Sequence, residues 1–363
     1  MDLVDISLIV LLIMILVLPT LSRRIERNLE IFFLIMASVA ASATSIWSRE
    51  IIEEAFLAPI TIKGLPIGIF QVVVVASILF GVYSDKIDLF MEKLSTKIPI
   101  SITVALLVFL LGIGSSLISV IVSSVIMSEI AFHLRLRREI LRHILIVSAY
   151  SIGVGAALTP VGEPLATIAI YKLSGPPYHA DFFFLFRLLG IYIIPLITAY
   201  SIYAGLYVSI KKRGGVIETM MINEISEKKN LRETLKISLE RGLRIYAFIF
   251  ALTILGASYN ILVDRYIKYF SPELMYLFGS ISAVVDNATL TAAIISSELS
   301  ILQIKSFLIS LLIAGGFLIP GNVPNIVMTN IHKIRYIEWA KEAIPLGLPS
   351  FIAMYIIFFI FGL

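Results

Sequence analysis

The feature that most constrains this chain is how far it runs without a charge. Ile6–Leu21, Ile31–Trp47, Gly64–Ser84, Ile245–Val263 and Ala343–Leu363 contain no charged residue. Phe182–Ile210 contains only Arg187, and Ile144–Tyr171 only Glu163. A helix crossing a bilayer needs about 20 mainly apolar residues, each rising about 1.5 Å. With 59% hydrophobic and 15% charged residues, the chain lacks the polar surface of a water-soluble globule. The reading is an all-α polytopic membrane protein. The absence of cysteine excludes disulfides, thiolate metal sites and cysteine catalysis. The net charge of +4 carries no expectation of nucleic-acid binding, because in a membrane protein the placement of charge decides its meaning. Met1–Asp5 has no basic residue and no small-residue cleavage site follows, so the first run is expected to be a retained helix.

Two runs resist simple spanning. Ile98–Ser128 is 31 uncharged residues with basic flanks on both sides, Lys93 and Lys97 before it and Arg135, Arg137 and Arg138 after it. It is expected to be a re-entrant hairpin of two half-depth arms, tolerated only where protein or a wet cavity surrounds the backbone. Leu274–Ser297 repeats the pattern with Asp286 at its middle. The resulting count is about eight full spans plus two hairpins. Placing residues 22–30, 85–97, 133–143, 211–242 and 332–342 in the cytoplasm puts 21 Lys and Arg inside, against 6 in the opposite loops. The positive-inside rule then puts both termini outside a cell membrane. Ile87, Phe90, Met91 and Leu94 fall near helical spacing among charges, as in a helix lying at the inner interface.

The chain also repeats itself. Ile118–Ser124 aligns with Ile281–Asn287, and Gly155, Leu158, Pro160 and Pro164 align with Gly315, Leu318, Pro320 and Pro324. By topology the first hairpin opens inward and the second outward, so the halves are inverted copies, the construction of secondary transporters. The expected organisation is 1–63, two scaffold helices plus an outer interfacial segment; 64–210, a first repeat with hairpin 98–135 and broken helix 144–171; 211–242, a cytoplasmic linker; and 243–363, a second repeat with hairpin 268–298 and broken helix 306–331. Each broken helix carries two prolines around a glycine, Thr159-Pro160-Val161-Gly162-Glu163-Pro164 and Ile319-Pro320-Gly321-Asn322-Val323-Pro324-Asn325. Proline removes an N–H and clashes with the preceding turn, so the backbone unwinds and frees carbonyl oxygens for a dehydrated cation.

Carboxylates at bilayer depth cost at least about 2.5–3.5 kcal/mol each on insertion scales and need a reason. Asp286, followed by Asn287 and Thr289, supplies the oxygens expected of a cage for Na⁺. Desolvation also favours its protonated form, so cation and proton would compete for it. The alternative role of Asp286 is a buried N-cap of the returning arm. Glu163 is either a second titratable group or the structural partner of Arg187. Ser119, Ser123 and Ser124 in the first tip, Ser282 and Thr289 in the second, and Thr159, Gly162, Asn322 and Asn325 at the breaks are candidate ligands or interhelical glue. Glu129, Glu298, Asp264 and the four histidines (133, 143, 179 and 332) fall at expected interfaces, in contact with water. No intramembrane enzyme is expected: an aspartyl type needs two membrane aspartates, and a serine type needs a buried histidine beside Gly112-Ile113-Gly114-Ser115.

Val285-Asp286-Asn287-Ala288-Thr289-Leu290 in a hairpin tip, followed by Pro320-Gly321-Asn322-Val323-Pro324-Asn325, resembles the ion transporter superfamily. That group holds divalent-anion:sodium symporters, arsenite and silicate carriers, and NhaD-type sodium/proton antiporters. The similarity covers roughly residues 64–363 and is greatest to a compact branch of cation transporters. It implies a scaffold plus a transport domain of two opposed hairpins, a homodimer, and an elevator-type displacement. The anion symporters carry Ser-Asn-Thr at both tips. Here the tips read Ser123-Ser124-Val125 and Asp286-Asn287-Ala288, so the first loses its amide and the second gains a charge that repels carboxylates. The expectation is Na⁺(Li⁺)/H⁺ antiport without a bound cofactor. Carriage of a small anion or metalloid is the alternative.

Overall fold

The computed structural model describes residues 2–22, 24–25, 28–61, 69–83, 86, 89, 98–213, 231–266, 270–285 and 287–362. Every regular element among them is helical. In chain order these are α1 (Leu3–Leu21), α2 (Leu29–Thr44), α3 (Arg49–Leu57), α4 (Ile69–Val82), α5 (Ile100–Ile118), α6 (Val120–His133), α7 (Arg138–Ala156), α8 (Pro164–Lys172), α9 (Phe184–Arg213) and α10 (Leu231–Tyr266). They continue as α11 (Pro272–Phe278), the 3₁₀ turn Gly279–Ala283, α12 (Asn287–Ile294), α13 (Ile301–Ala314), the 3₁₀ turn Ile319–Gly321, α14 (Val323–His332) and α15 (Tyr336–Phe359).

Among the described residues, five helices are long and apolar enough to cross a membrane: α5, α7, α9 over Phe184–Lys211, α10 over Leu235–Tyr259, and α15. Shorter apolar helices include Leu3–Pro19, Glu30–Thr44, Val120–His133 and Ile301–Ala314. Their outward faces are aliphatic. Ile6, Ile9, Ile13 and Val17 on α1 and Leu106, Leu110 and Leu117 on α5 are exposed, while Ser115, Ser151 and Asn325 are buried. Apolar side chains outside and polar ones inside suit a helical membrane protein, since lipid solvates hydrocarbon and leaves backbone polar groups to be satisfied internally.

Helices α2, α3 and α4 gather on α10. Arg244 reaches Glu30 at 3.2 Å, and Phe33 meets Phe248 with centroids 4.9 Å apart, so α2 and α10 run the same way. Arg265 reaches Asp5 at 2.9 Å and Tyr259 donates to the Leu8 carbonyl, so α1 runs the opposite way. The segment read as an outer interfacial piece folds back along α10: Tyr246 donates to the Phe56 carbonyl and Phe56 packs on Phe250. The linker expectation also changes. Helix α10 begins at Leu231, so the charged residues 232–244 belong to a 36-residue helix. Residues 214–230, Ile87, Phe90, Met91 and Leu94 lie outside the described residues.

The rest of the molecule is organised by two helix pairs. Ser151 donates to the Val108 carbonyl (2.9 Å) and Thr159 to the Ser116 carbonyl (2.5 Å), so α5 and α7 advance together. With only residues 134–137 joining α6 to α7, α6 returns antiparallel to both. The expectation of two half-depth arms is corrected: α5 has 19 residues, about 28 Å, long enough to cross, and only α6, with 14, is shorter, because an uncharged run does not mark where it turns. A corresponding pair forms from α11 and α13, through Gln303 to the Phe270 carbonyl and Ser282 to the Leu311 carbonyl. Small residues permit the close approach. A methyl at Gly155 would overlap the Gly112 carbonyl oxygen, and one at Gly279 would overlap Ser310. Helix α8 packs on α12, and α14 on α6 and α7.

Candidate functional site: two helix breaks and the helix starts beside them

The two unwound segments share one backbone geometry. Glu163 (φ −152°, ψ 160°) precedes α8 and Asn322 (φ −151°, ψ 150°) precedes α14, each helix having proline in its first two positions. Gly162 donates its N–H to the Thr159 carbonyl, as Gly321 does to Leu318. Leu158 donates to Gly155, as Phe317 does to Ala314. A methyl at Gly162 would overlap the Ala156 carbonyl, and one at Gly321 the Gly315 carbonyl. These pairs correspond at 159 residues, from Glu163 to Asn322, whereas the proline alignment gives 160. Pro164 is the first residue of its helix and Pro324 the second, so proline restricts φ equally well in either place.

A helix start meets each break. Val120, first residue of α6, donates its N–H to the Gly162 carbonyl at 2.8 Å. The tip residue Ser119 has φ 87°, outside the usual region for a non-glycine residue, and its hydroxyl caps the N–H of Ile121. At the second break, Asn287 opens α12 with its amide against Gly315. Asn287 is 3% exposed, and neither of its amide atoms has a hydrogen-bond partner among the described residues. Asn325 donates to the carbonyls of Gly315 and Leu318, both at 2.7 Å, and its Oδ1 has no donor among the described residues. Asn322 accepts from its neighbour Val323 and packs against Gly153 of α7, which brings the second break beside the helix leading to the first. Asp286 lies outside the described residues, as does the side chain of Thr289; Val285 and Asn287 on either side of Asp286 are buried.

Several candidate ligands hold helices together instead. Ser282 and Thr159 each donate to a backbone carbonyl of a neighbouring helix, as do Ser115 and Ser151, which sequence reasoning had not placed at helix contacts; Ser124 donates to the Val120 carbonyl one turn back in its own helix. Ser123 differs: its hydroxyl is fully buried with no partner among the described residues.

Two expectations are corrected and one open alternative is closed. Arg187 pairs with Asp181 at 2.7 Å, not with Glu163, because six residues around the start of α9 bring that carboxylate within reach. This hydrogen bond from Arg187 holds the Asp181 carboxyl below the usual range, so the pair's contribution to stability persists above the ordinary carboxylate pKa and is lost as pH falls through the lowered value. Glu163 is buried at the first break. Glu129 and His133 are buried rather than wet, because α14 covers the end of α6. His143 lies between Glu342 Oε2 and the Tyr203 hydroxyl, 2.9 Å from each, and Arg142 reaches Glu342 at 2.5 Å. The signal for that cluster was Arg142-His143 and Glu338/Glu342 at helix starts, unreadable without knowing that α7 and α15 are neighbours. Glu298 and His179 are exposed as expected.

No curated protein matches the chain. Over residues 5–361, the two breaks and both helix pairs included, the chain belongs to the family described as protein of unknown function DUF1646.

Proposed function

We propose that this protein is a secondary active ion transporter of the cell membrane, a Na⁺(Li⁺)/H⁺ antiporter of the ion transporter superfamily type. In this reading α5–α6 and α11–α12 are the opposed helical hairpins of inverted repeats, the first with one arm long enough to cross the membrane, both termini lie outside, and two copies form a homodimer. The observation that carries it is the Asn287 amide, buried at a hairpin tip beside a helix break, with no partner among the described residues. An unsatisfied buried amide oxygen costs about 1–3 kcal/mol, and oxygen donors are what a hard cation takes in place of water. Asn325 Oδ1 at the same break is a second such oxygen. Asp286, adjacent in sequence to Asn287, supplies the negative charge.

In this mechanism a cation entering the site sheds water onto Asn287 and Asn325, with the Asp286 carboxylate balancing its charge. A proton binding Asp286 removes that charge and releases the cation. One site holding one or the other couples their opposite movements. Glu163 at the first break is a second carboxylate from which a further proton can be exchanged. The test is Na⁺- or Li⁺-driven dissipation of a pH gradient in proteoliposomes. The native protein is expected to move protons on cation addition and the Asp286→Asn variant to be silent. A silent native protein that accumulates labelled anions would overturn the reading.

That outcome would favour the second reading, a proton- or sodium-coupled carrier of a small anion or metalloid. The observation behind it is that α6, α8, α12 and α14 all begin at the tips and breaks, and helix N-termini carry partial positive charge.

A further inference from the structure

The polar groups continue beyond the breaks. On α14, Asn325, Thr329 and His332 recur at intervals of four and three residues and therefore share one face. Helix α6 lies alongside. It starts at the first break, where Val120 meets Gly162, and its far end reaches the end of α14, where the His332 ring stacks on Phe132 at 4.3 Å. The two helices thus run in the same direction, from the site to one end of the molecule. Between them, His332 Nε2 lies 2.9 Å from the Ser128 carbonyl. The hydroxyls of Ser123 and Ser128 are fully buried, and neither has a hydrogen-bond partner among the described residues; Asn325 Oδ1 is in the same condition. Glu129 and His133 are buried at the far end of α6.

Leaving one buried hydroxyl unsatisfied costs about 1–3 kcal/mol. The Ser128 hydroxyl and Asn325 Oδ1, unmet among the described residues on two helices that pack together, describe a seam whose polar groups are completed by water. We propose that the α6–α14 seam is a hydrated proton path joining the second break to the end of the molecule marked by Glu129, His133 and His332. Water between Ser128, Thr329 and Asn325 relays the proton: each water oxygen accepts one proton and passes another on, then the water turns back to its starting orientation before the next transfer, while the side chains hold the waters by hydrogen bonds. The role of the path rests on the antiport reading; its hydration does not.

The natural lack of cysteine makes the native chain a ready background. Ser128→Cys and Thr329→Cys place thiols in the seam, and Val125→Cys and Ile326→Cys place them at buried apolar positions of the same two helices. Reconstituted protein is treated with a small cationic methanethiosulfonate, and the labelled fraction is read by intact mass; labelling after denaturation verifies that every thiol is present. The expected result is reaction at positions 128 and 329 an order of magnitude faster than at 125 and 326. Equal rates at all four would overturn the hydrated seam. In the same vesicles, Thr329→Val is expected to slow proton movement several-fold with an unchanged cation KM; an unchanged rate would overturn the proton role. Labelling alongside a silent native exchange assay would remove the antiport reading, and with it the proton role, while the seam stood. Exchange without labelling would do the reverse.

Discussion

A primary amide offers two donors and an acceptor, and burial makes each unmet one expensive. Asn287 is buried with both amide atoms unmet among the described residues, so its replacement by the similarly sized Leu should separate stability from activity. Asn287→Leu is expected to raise unfolding stability by about 1–3 kcal/mol, seen as a higher Tm in detergent, while abolishing cation-driven proton movement. A fall in Tm would mean that the amide is satisfied and structural. At this scale the sequence was readable where a residue type stands out against its surroundings. Asp286-Asn287 does so by putting a charge and an amide inside an apolar run. Glu129 and His133 did not, because their burial comes from α14, two hundred residues away in the chain. The partner of Arg187 stayed open for the opposite reason: Asp181 was near in sequence and counted as loop.

Among the elements, the breaks were legible because proline and glycine act on the backbone itself, whatever packs around them. Their register was not, since Pro164 and Pro324 occupy different positions of their helices and only hydrogen bonds fix the correspondence. The unequal arms α5 and α6 escaped notice because an uncharged run does not record where it turns. Residues 231–242 looked like the end of a linker because their charges are dense, yet Glu, Lys and Arg are good helix formers. Glycines give the sharpest test of element packing. Gly155→Ala forces a methyl onto the Gly112 carbonyl oxygen and should destabilise by about 1–3 kcal/mol. Gly114→Ala, in the same pair of helices but with open space around it, should be neutral or gain up to about 1 kcal/mol from helix propensity. Thermal unfolding of both variants checks this; equal effects would refute the α5–α7 packing. At the breaks, Gly162→Ala and Gly321→Ala should be similarly damaging, each meeting the carbonyl six residues earlier.

For the molecule as a whole, the halves are tied across each other. Tyr150 of α7 donates to the Ala343 carbonyl of α15 and fills the space left by Gly316 and Gly347. Arg142 and His143 add the link to Glu342. Because Arg142 and Glu342 are each about one-fifth exposed, a double-mutant cycle of Arg142→Gln and Glu342→Gln should give a coupling of about 1–3 kcal/mol. The same cycle on the half-exposed Arg187–Asp181 pair should give a much smaller value. Unfolding measurements on the four proteins of each cycle decide it. Helix α10 stands apart from these ties by its length. Thirty-six residues extend about 54 Å, well beyond a hydrocarbon core of about 30 Å. It therefore serves as a built-in ruler. Spin labels at Lys236 and Arg265 should stay about 43 Å apart while the helix remains intact. That fixed pair calibrates every other distance in the protein, so a label on α7 or α15 that shifts against both ends of α10 records travel, and one that shifts against only one end records tilt.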